Sequence, residues 1–307
     1  MRPDQPNFFS GPYIDRRAEE REQAGWARAA LEDPETLYLL GSGTRHLVYT
    51  EPEPRIAFLA AQEAARAAAD LSRLVLLGWF KDRRCVLVEL GDETSLELPR
   101  NASFEELRPL SPLLAAEEAG LLAYARALSI WRGRQRFCGA CGAPTVSQHA
   151  GHSMRCSRED CAQQFFPRLD PAIIVLVTDG ERALLGRQAT WPPGRYSTIA
   201  GFVEPGESLE DAVAREVMEE TGVPVTGACY DSSQPWPFPA SIMIGFRARA
   251  RPGSPARVNG ELEDARLFTR EEVRAGGNAL LPFAHSISRR LIVNWLEDQT
   301  SCKEAAS

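Results

Sequence analysis

Three glutamates, Glu216, Glu219 and Glu220, fall at i, i+3 and i+4 of a stretch that reads as a helix, so their carboxylates crowd onto one side. Like charges at that spacing repel by roughly a few tenths of a kcal/mol per pair on an exposed helix. They also stand near the helix C-terminus, where the dipole disfavours anions. The cation at hand is Arg215, which can reach Glu219 at i+4. Such crowding is accounted for if hard divalent cations neutralise it. Mg2+ and Mn2+ prefer oxygen ligands and are often shared between carboxylates and substrate phosphates. A solvated acidic face is the alternative. The helix itself is specified locally. Ser208 followed by Asp211 resembles a capping box, Gly222 is placed to end the helix, and Leu209, Val213 and Val217 make one core-facing stripe. These signals set it from Ser208 to Thr221, directly after the glycine-containing stretch Gly201–Glu207.

A second constellation is Cys138-Gly-Ala-Cys141 and Cys156-Ser-Arg-Glu-Asp-Cys161, two close pairs in a glycine-rich and polar segment with no apolar face to bury. Zn2+ takes four such ligands tetrahedrally, and two short knuckles joined by a hairpin-length loop supply that geometry. Gly139 and Gly142 suit the tight turns that aim amides at the thiolates. A complete four-thiolate shell leaves no open position for water, so one zinc per chain folds the segment and does not catalyse. His149 and His152, between the pairs, are expected at the surface.

The elements that must position these groups lie in a chain of 307 residues, long enough for about two domains at ~150 residues each. The net charge of −7 argues against coating of nucleic acid, which demands clustered Lys and Arg. No stretch approaches the ~20 apolar residues of a membrane helix. The N-terminus has no apolar secretory core and the C-terminus no Ser-Lys-Leu address. The expectation is a cytoplasmic protein with no membrane association. In that compartment the seven cysteines are not a disulfide framework, and the scattered Cys85, Cys229 and Cys302 need no special role.

Residues 1–131 read as an α+β domain carrying no catalytic spacing, structural or dimer-forming in role. Two strands flank the Gly41-Ser-Gly43 turn, a hairpin turns near Lys81–Arg84, and an amphipathic helix spans Ser111–Trp131 with Pro112 close after its start. Residues 132–167 hold the cysteine pairs. Residues 168–307 alternate strands and helices, which argues an α/β layered domain, with a last helix near His285–Asp298. Within it, Ser233-Gln-Pro-Trp-Pro-Phe-Pro-Ala-Ser241 has prolines at every second position, so a regular helix or a central strand is excluded. A stiff extended loop that presents Trp236 and Phe238 to flat rings is expected; a rigid surface loop with its aromatics in the core is the plainer alternative.

The pattern G-x5-E-x7-R-E-V-x-E-E-x-G-V, from Gly201 to Val223, resembles the Nudix box of the Nudix hydrolase superfamily without a departure. SQPWPFPxS, a zinc ribbon just ahead of the Nudix domain and a separate N-terminal domain are together similar to the NADH pyrophosphatase family. The likeness is strongest over 138–292. It implies a Nudix α/β/α sandwich preceded by a zinc ribbon and an α+β N-terminal domain. It implies hydrolysis of the diphosphate of NADH or NAD+ to nicotinamide mononucleotide and AMP, with two or three Mg2+ or Mn2+ ions and a homodimer whose site is completed across subunits. By the resemblance Glu216, Glu219 and Glu220 bind metal or activate water, and Glu207 and Arg215 brace loop and helix. Glu261 and the backbone of Ala200 are further metal contacts. Phe202 stacks on a base. Gln234, Pro235, Trp236, Pro237, Phe238, Pro239, Ala240 and Ser241 line the dinucleotide site. Phe166 stands where the family has a tyrosine, keeping the stacking face without the hydroxyl, and Ser288 matches a substrate-contacting position that is often Ala.

Rival readings keep the same box. Removal of NAD caps from RNA uses identical chemistry and needs a basic track, for which Arg247, Arg249, Arg251 and Arg257 are candidates. ADP-ribose is a third substrate. A nucleotide-sensing module without catalysis predicts a broken glutamate set, and here the set is intact.

Overall fold

The computed structural model describes residues 6–67, 70–91, 98–258 and 260–297. They fall into two compact units: Gly11–Leu169 with Pro237–Ala240, and Met1–Ser10 with Asp170–Trp236 and Ser241–Ser307.

The first unit carries a seven-stranded sheet of β1 (Ile14–Asp15), β2 (Leu37–Ser42), β3 (Arg45–Tyr49), β4 (Arg55–Ile56), β5 (Leu74–Phe80), β6 (Arg83–Glu89) and β7 (Ala102–Glu106). The order is β1-β5-β6-β2-β3-β4, with β7 also on β3. β2 and β6 run parallel. The helices are α1 (Trp26–Glu32), α2 (Ala61–Ala67), α3 (Leu107–Leu110) and α4 (Ala116–Arg134). Both expected hairpins form. Lys81 and Asp82 take φ of 50° and 59°, the paired left-handed conformation whose twist matches a two-residue hairpin. Leu74, Leu76, Val86 and Val88 pack with Tyr38, Leu40 and Leu47 in one core, while their neighbours of opposite parity, Val75, Cys85 and Leu87, are buried as well. The sheet is thus covered on both faces, which is why its strands read as continuous apolar runs.

The ribbon in the same unit is a three-stranded antiparallel sheet of β8 (Thr145–Gln148), β9 (Ser153–Cys156) and β10 (Gln164–Phe165). Gly151 lets it approach β5: a β-carbon there would lie 2.8 Å from the Val75 methyls.

The second unit is a mixed sheet of β11 (Asp170–Thr178), β12 (Arg182–Arg187), β13 (Ile199–Phe202), β14 (Val225–Trp236), β15 (Ser241–Ala250) and β16 (Asp264–Thr269), in the order β14-β15-β11-β12-β16 with β13 on β11. Alternation along β11 builds the sandwich. Ile173, Val175 and Val177 share a core with Ala212, Val213 and Val217 of α5 (Leu209–Thr221). Ile174 and Leu176 share the opposite one with Val273 of α6 (Arg270–Leu280) and Leu291, Ile292 and Trp295 of α7 (Ile287–Leu296). Helix α6 was not expected from the sequence, although Thr269 and Glu272 close a capping box at its start.

The proline-rich stretch corrects the expectation of a loop. Ser233–Trp236 continue β14, paired from Ser233↔Ile244 to Trp236↔Ser241, and only residues 237–240 turn. β14 is an edge strand, so Pro235 interrupts no ladder on its free side. Among the described residues no helix is long and apolar enough to cross a membrane.

Candidate active site and zinc centre

Helix α5 forms as its local signals dictate. Ser208 and Asp211 cap each other reciprocally, and Gly222 ends the helix at φ 66°. This fixes the three glutamates on one side and Arg215 beside them. The Arg215 guanidinium holds the surrounding loop together. Nε and Nη2 donate to the two Glu207 oxygens at 2.5 and 2.9 Å, and Nη2 also donates to the Phe202 carbonyl at 2.9 Å. Nη1 lies 2.9 Å from both Glu216 and Glu219. Hydrogen bonds from Arg215 and from the Glu204 amide pull the Glu207 carboxyl down to about 2. These contacts give Glu207 and Arg215 a bracing geometry.

Glu220 is in a different situation. It is 5% exposed. Burial pushes its carboxyl up to about 8, and the Glu261, Glu216 and Glu219 carboxylates push the same way. Burial also raises Glu216, partly offset by Arg215 and reinforced by Glu219 and Glu261. Glu261, far along the chain, is therefore within electrostatic reach of Glu216 and Glu220. Four acids share one field, and among the described residues the charges acting on Glu220 are carboxylates. Bringing them together without added positive charge is unfavourable. Their oxygens are the hard donors that divalent cations take.

The β13 backbone completes this face. Ala200 pairs with Ile174 and Gly201 with Ile173. Phe202 is 59% exposed, open to a stacking partner.

Other expected site residues are placed less openly. Gln234 is fully buried; its amide donates to the Phe8 and His285 carbonyls and accepts from the Ile287 amide. Ser288 is 3% exposed and its hydroxyl is engaged by Ser197 and Thr198. Ser241 and Ala240 are buried, Pro235 and Pro239 are exposed, and Trp236 is half-buried with its ring edge-on to Phe9 at 6.5 Å. In the other unit, Pro237 is buried and the Phe238 ring lies against the Arg108 and Arg126 guanidiniums, at 4.6 and 5.5 Å. Phe166 is 62% exposed and lines a cavity of about 320 Å³ with Arg21, His149 and His152.

Among the described residues, Cys138, Cys141, Cys156 and Cys161 form the one group of His, Cys, Asp or Glu whose ligand atoms all lie within 4.8 Å of one another. Backbone amides serve the sulfurs as the knuckle glycines suggest. Burial pushes the Cys138 thiol up, but the Ala140 and Cys141 amides outweigh it and bring it down to about 7. The donor set fits one Zn2+ with a closed shell. Of the two histidines, His149 is exposed as expected, but His152 is half-buried. Its Nε2 is 2.7 Å from the Leu76 carbonyl, where it joins the ribbon to β5. Cys229, expected to need no special role, is disulfide-bonded.

Residues 168–295 match the NUDIX domain, 134–166 the NADH pyrophosphatase zinc ribbon domain, and 35–131 the NADH pyrophosphatase-like rudimentary NUDIX domain. The last match gives the N-terminal domain an ancestry that its sequence, without a glutamate helix, did not disclose. The chain is 37% identical to the NAD-capped RNA hydrolase NudC of Mycobacterium bovis, over 90% of this chain and 88% of that protein. It is 41% identical to NudC of Stutzerimonas stutzeri over 72% and 76%, and 33% identical to a human NAD-capped RNA hydrolase over 94% and 73%. With its Nudix box and zinc ribbon, the chain belongs to the NADH pyrophosphatase family of the Nudix hydrolases.

Proposed function

We propose that this protein hydrolyses the diphosphate of NADH and NAD+ to nicotinamide mononucleotide and AMP. The observation that carries the reading is Glu220, a buried carboxyl whose charged neighbours among the described residues are Glu261, Glu216 and Glu219. These four, with the Ala200 carbonyl, would hold two or three Mg2+ or Mn2+ ions. Bound there, such ions neutralise diphosphate charge and acidify water. The chain's own part is positional. Arg215 fixes Glu216 and Glu219 and ties them to the loop through Glu207. Glu219 or Glu220 accepts the proton of the attacking water. The water attacks phosphorus in line, and the P–O bond of the bridging oxygen breaks, so AMP and nicotinamide mononucleotide leave. Phe202 supplies an open face for a base, and the 233–241 hairpin contacts the dinucleotide. Structural zinc in the ribbon, a homodimer and a cytoplasmic location complete the reading.

Removal of NAD from the 5′ end of RNA is the second reading, favoured by the names of the relatives. It gains little from the expected basic track, because Arg247 is buried and donates to Asp231 at 2.8 Å. Turnover of NADH, NAD+, ADP-ribose and NAD-capped RNA, each with Mg2+ and with Mn2+, tests the assignment. Release of AMP and the reduced nicotinamide mononucleotide from free NADH is expected, and activity on capped RNA alone would replace the first reading with the second.

A further inference from the structure

We infer that Arg126 is a positioning residue that fixes the tip of the 233–241 hairpin and so sets the affinity for the dinucleotide. This rests on the reading above that the hairpin contacts substrate.

Arg126 lies in the middle of α4 and is 9% exposed. Its Nε donates to the Pro237 carbonyl at 3.0 Å, and its Nη1 donates to the Thr44 carbonyl at 2.7 Å. Nη2 is 3.5 Å from Glu106, and the guanidinium carbon is 5.5 Å from the centre of the Phe238 ring. Arg108 lies 4.6 Å from the same ring. A guanidinium buried this deeply is unfavourable unless its donors are satisfied, and an apolar side chain would fill the space without that cost. What only the guanidinium supplies is a rigid fork with a flat face. Here the fork joins the turn after β2 to the hairpin tip, and the face holds an aromatic ring.

The tip needs such a holder. Of residues 237–240, two are proline and have no N–H to donate, so the turn has few backbone donors of its own. Arg126 takes two handles on it, the Pro237 carbonyl and the Phe238 ring. A ring held by two cations keeps a fixed orientation, which lowers the ordering cost when a planar ligand meets the hairpin. The contribution belongs to binding and leaves the glutamate chemistry alone.

The test is steady-state NADH hydrolysis by the full-length, zinc-loaded protein with Mg2+, comparing the wild type with Arg126→Gln and Arg126→Lys. Thermal unfolding and zinc content are measured alongside. The inference expects KM for NADH to rise about tenfold in Arg126→Gln with kcat changed less than about twofold, and Arg126→Lys to fall between, because lysine keeps the charge and loses the fork. An unchanged KM in a folded Arg126→Gln protein overturns it, as does a fall in kcat alone. If Arg126→Gln does not fold, a cycle of Arg126→Lys with Phe238→Leu decides: KM effects that fail to add support the clamp, and fully additive effects contradict it. A wild-type protein inactive on NADH refutes the functional reading instead.

Discussion

The carboxylate of Glu216 rests against the α-carbon of Gly201, so close that a β-carbon at residue 201 would lie 1.9 Å from the Glu216 carboxyl carbon. The glycine is required by the position of a side chain fifteen residues on. Gly201→Ala should therefore leave the fold intact, because the displaced atoms are the end of a flexible chain, yet move one glutamate of the proposed cage. Turnover of NADH is expected to drop about 100-fold, as for other displacements of about 1 Å at reacting centres. Unaltered turnover would show that the Glu216 position is not demanding.

Arg215 supplies one fork to four acceptors: Glu207, Glu216, Glu219 and the Phe202 carbonyl. Lysine has the charge but not the planar geometry, so Arg215→Lys should lower kcat about 10- to 100-fold with Tm nearly constant. Retention of full kcat would mean that charge alone suffices.

Much of this site is legible along the chain because its determinants are local. The cap at Ser208, the stop at Gly222, the stripe of Val213 and Val217 and the ladder of glutamates all lie within one helix. The reach of Arg215 to Glu219 is an i,i+4 contact and follows from the same spacing. What is not legible depends on partners distant in sequence. Pro235 was read as part of a loop because its place on an edge strand depends on β15. The hydrogen bonds of the buried Gln234 amide to Phe8, His285 and Ile287 likewise depend on segments far along the chain. The packing of Glu216 on Gly201 needed the β13–α5 approach. Arg126 gave no sign in the sequence, since a helix arginine is ordinarily solvated.

The ribbon has little apolar area of its own, so its fold depends on the four cysteines. Cys156→Ser should reduce bound zinc from one per chain to well below it and lower the first unfolding transition by about 10 °C or more, structural zinc carrying much of the folding energy of such segments. Metal analysis and calorimetry check this. Full zinc content in the variant would contradict the four-thiolate assignment.

His46 carries a pH dependence. It is buried, and both of its ring nitrogens lack a hydrogen-bond partner among the described residues. Burial, with the Arg126 charge adding, holds it down to about 3 against an ordinary 6.5. Between those values the unfolded chain binds the extra proton, so stability is fullest above about pH 6.5 and is lost as pH falls, by up to about 1.4 kcal/mol per pH unit. His152, held down to about 4 chiefly by burial, acts in the same direction. Melting curves from pH 7 to 4.5 should be less steep in pH for His46→Leu than for the wild type. Parallel curves would exclude His46 as the origin.

The central claim is that Glu220 faces other carboxylates because metal joins them there for diphosphate cleavage. Its most direct test is Mn2+ binding and NADH turnover measured on Glu220→Gln beside the wild type. The account predicts a folded variant that binds Mn2+ more weakly and turns over about 10²- to 10⁴-fold more slowly. Wild-type Mn2+ affinity together with wild-type turnover in that variant would contradict it.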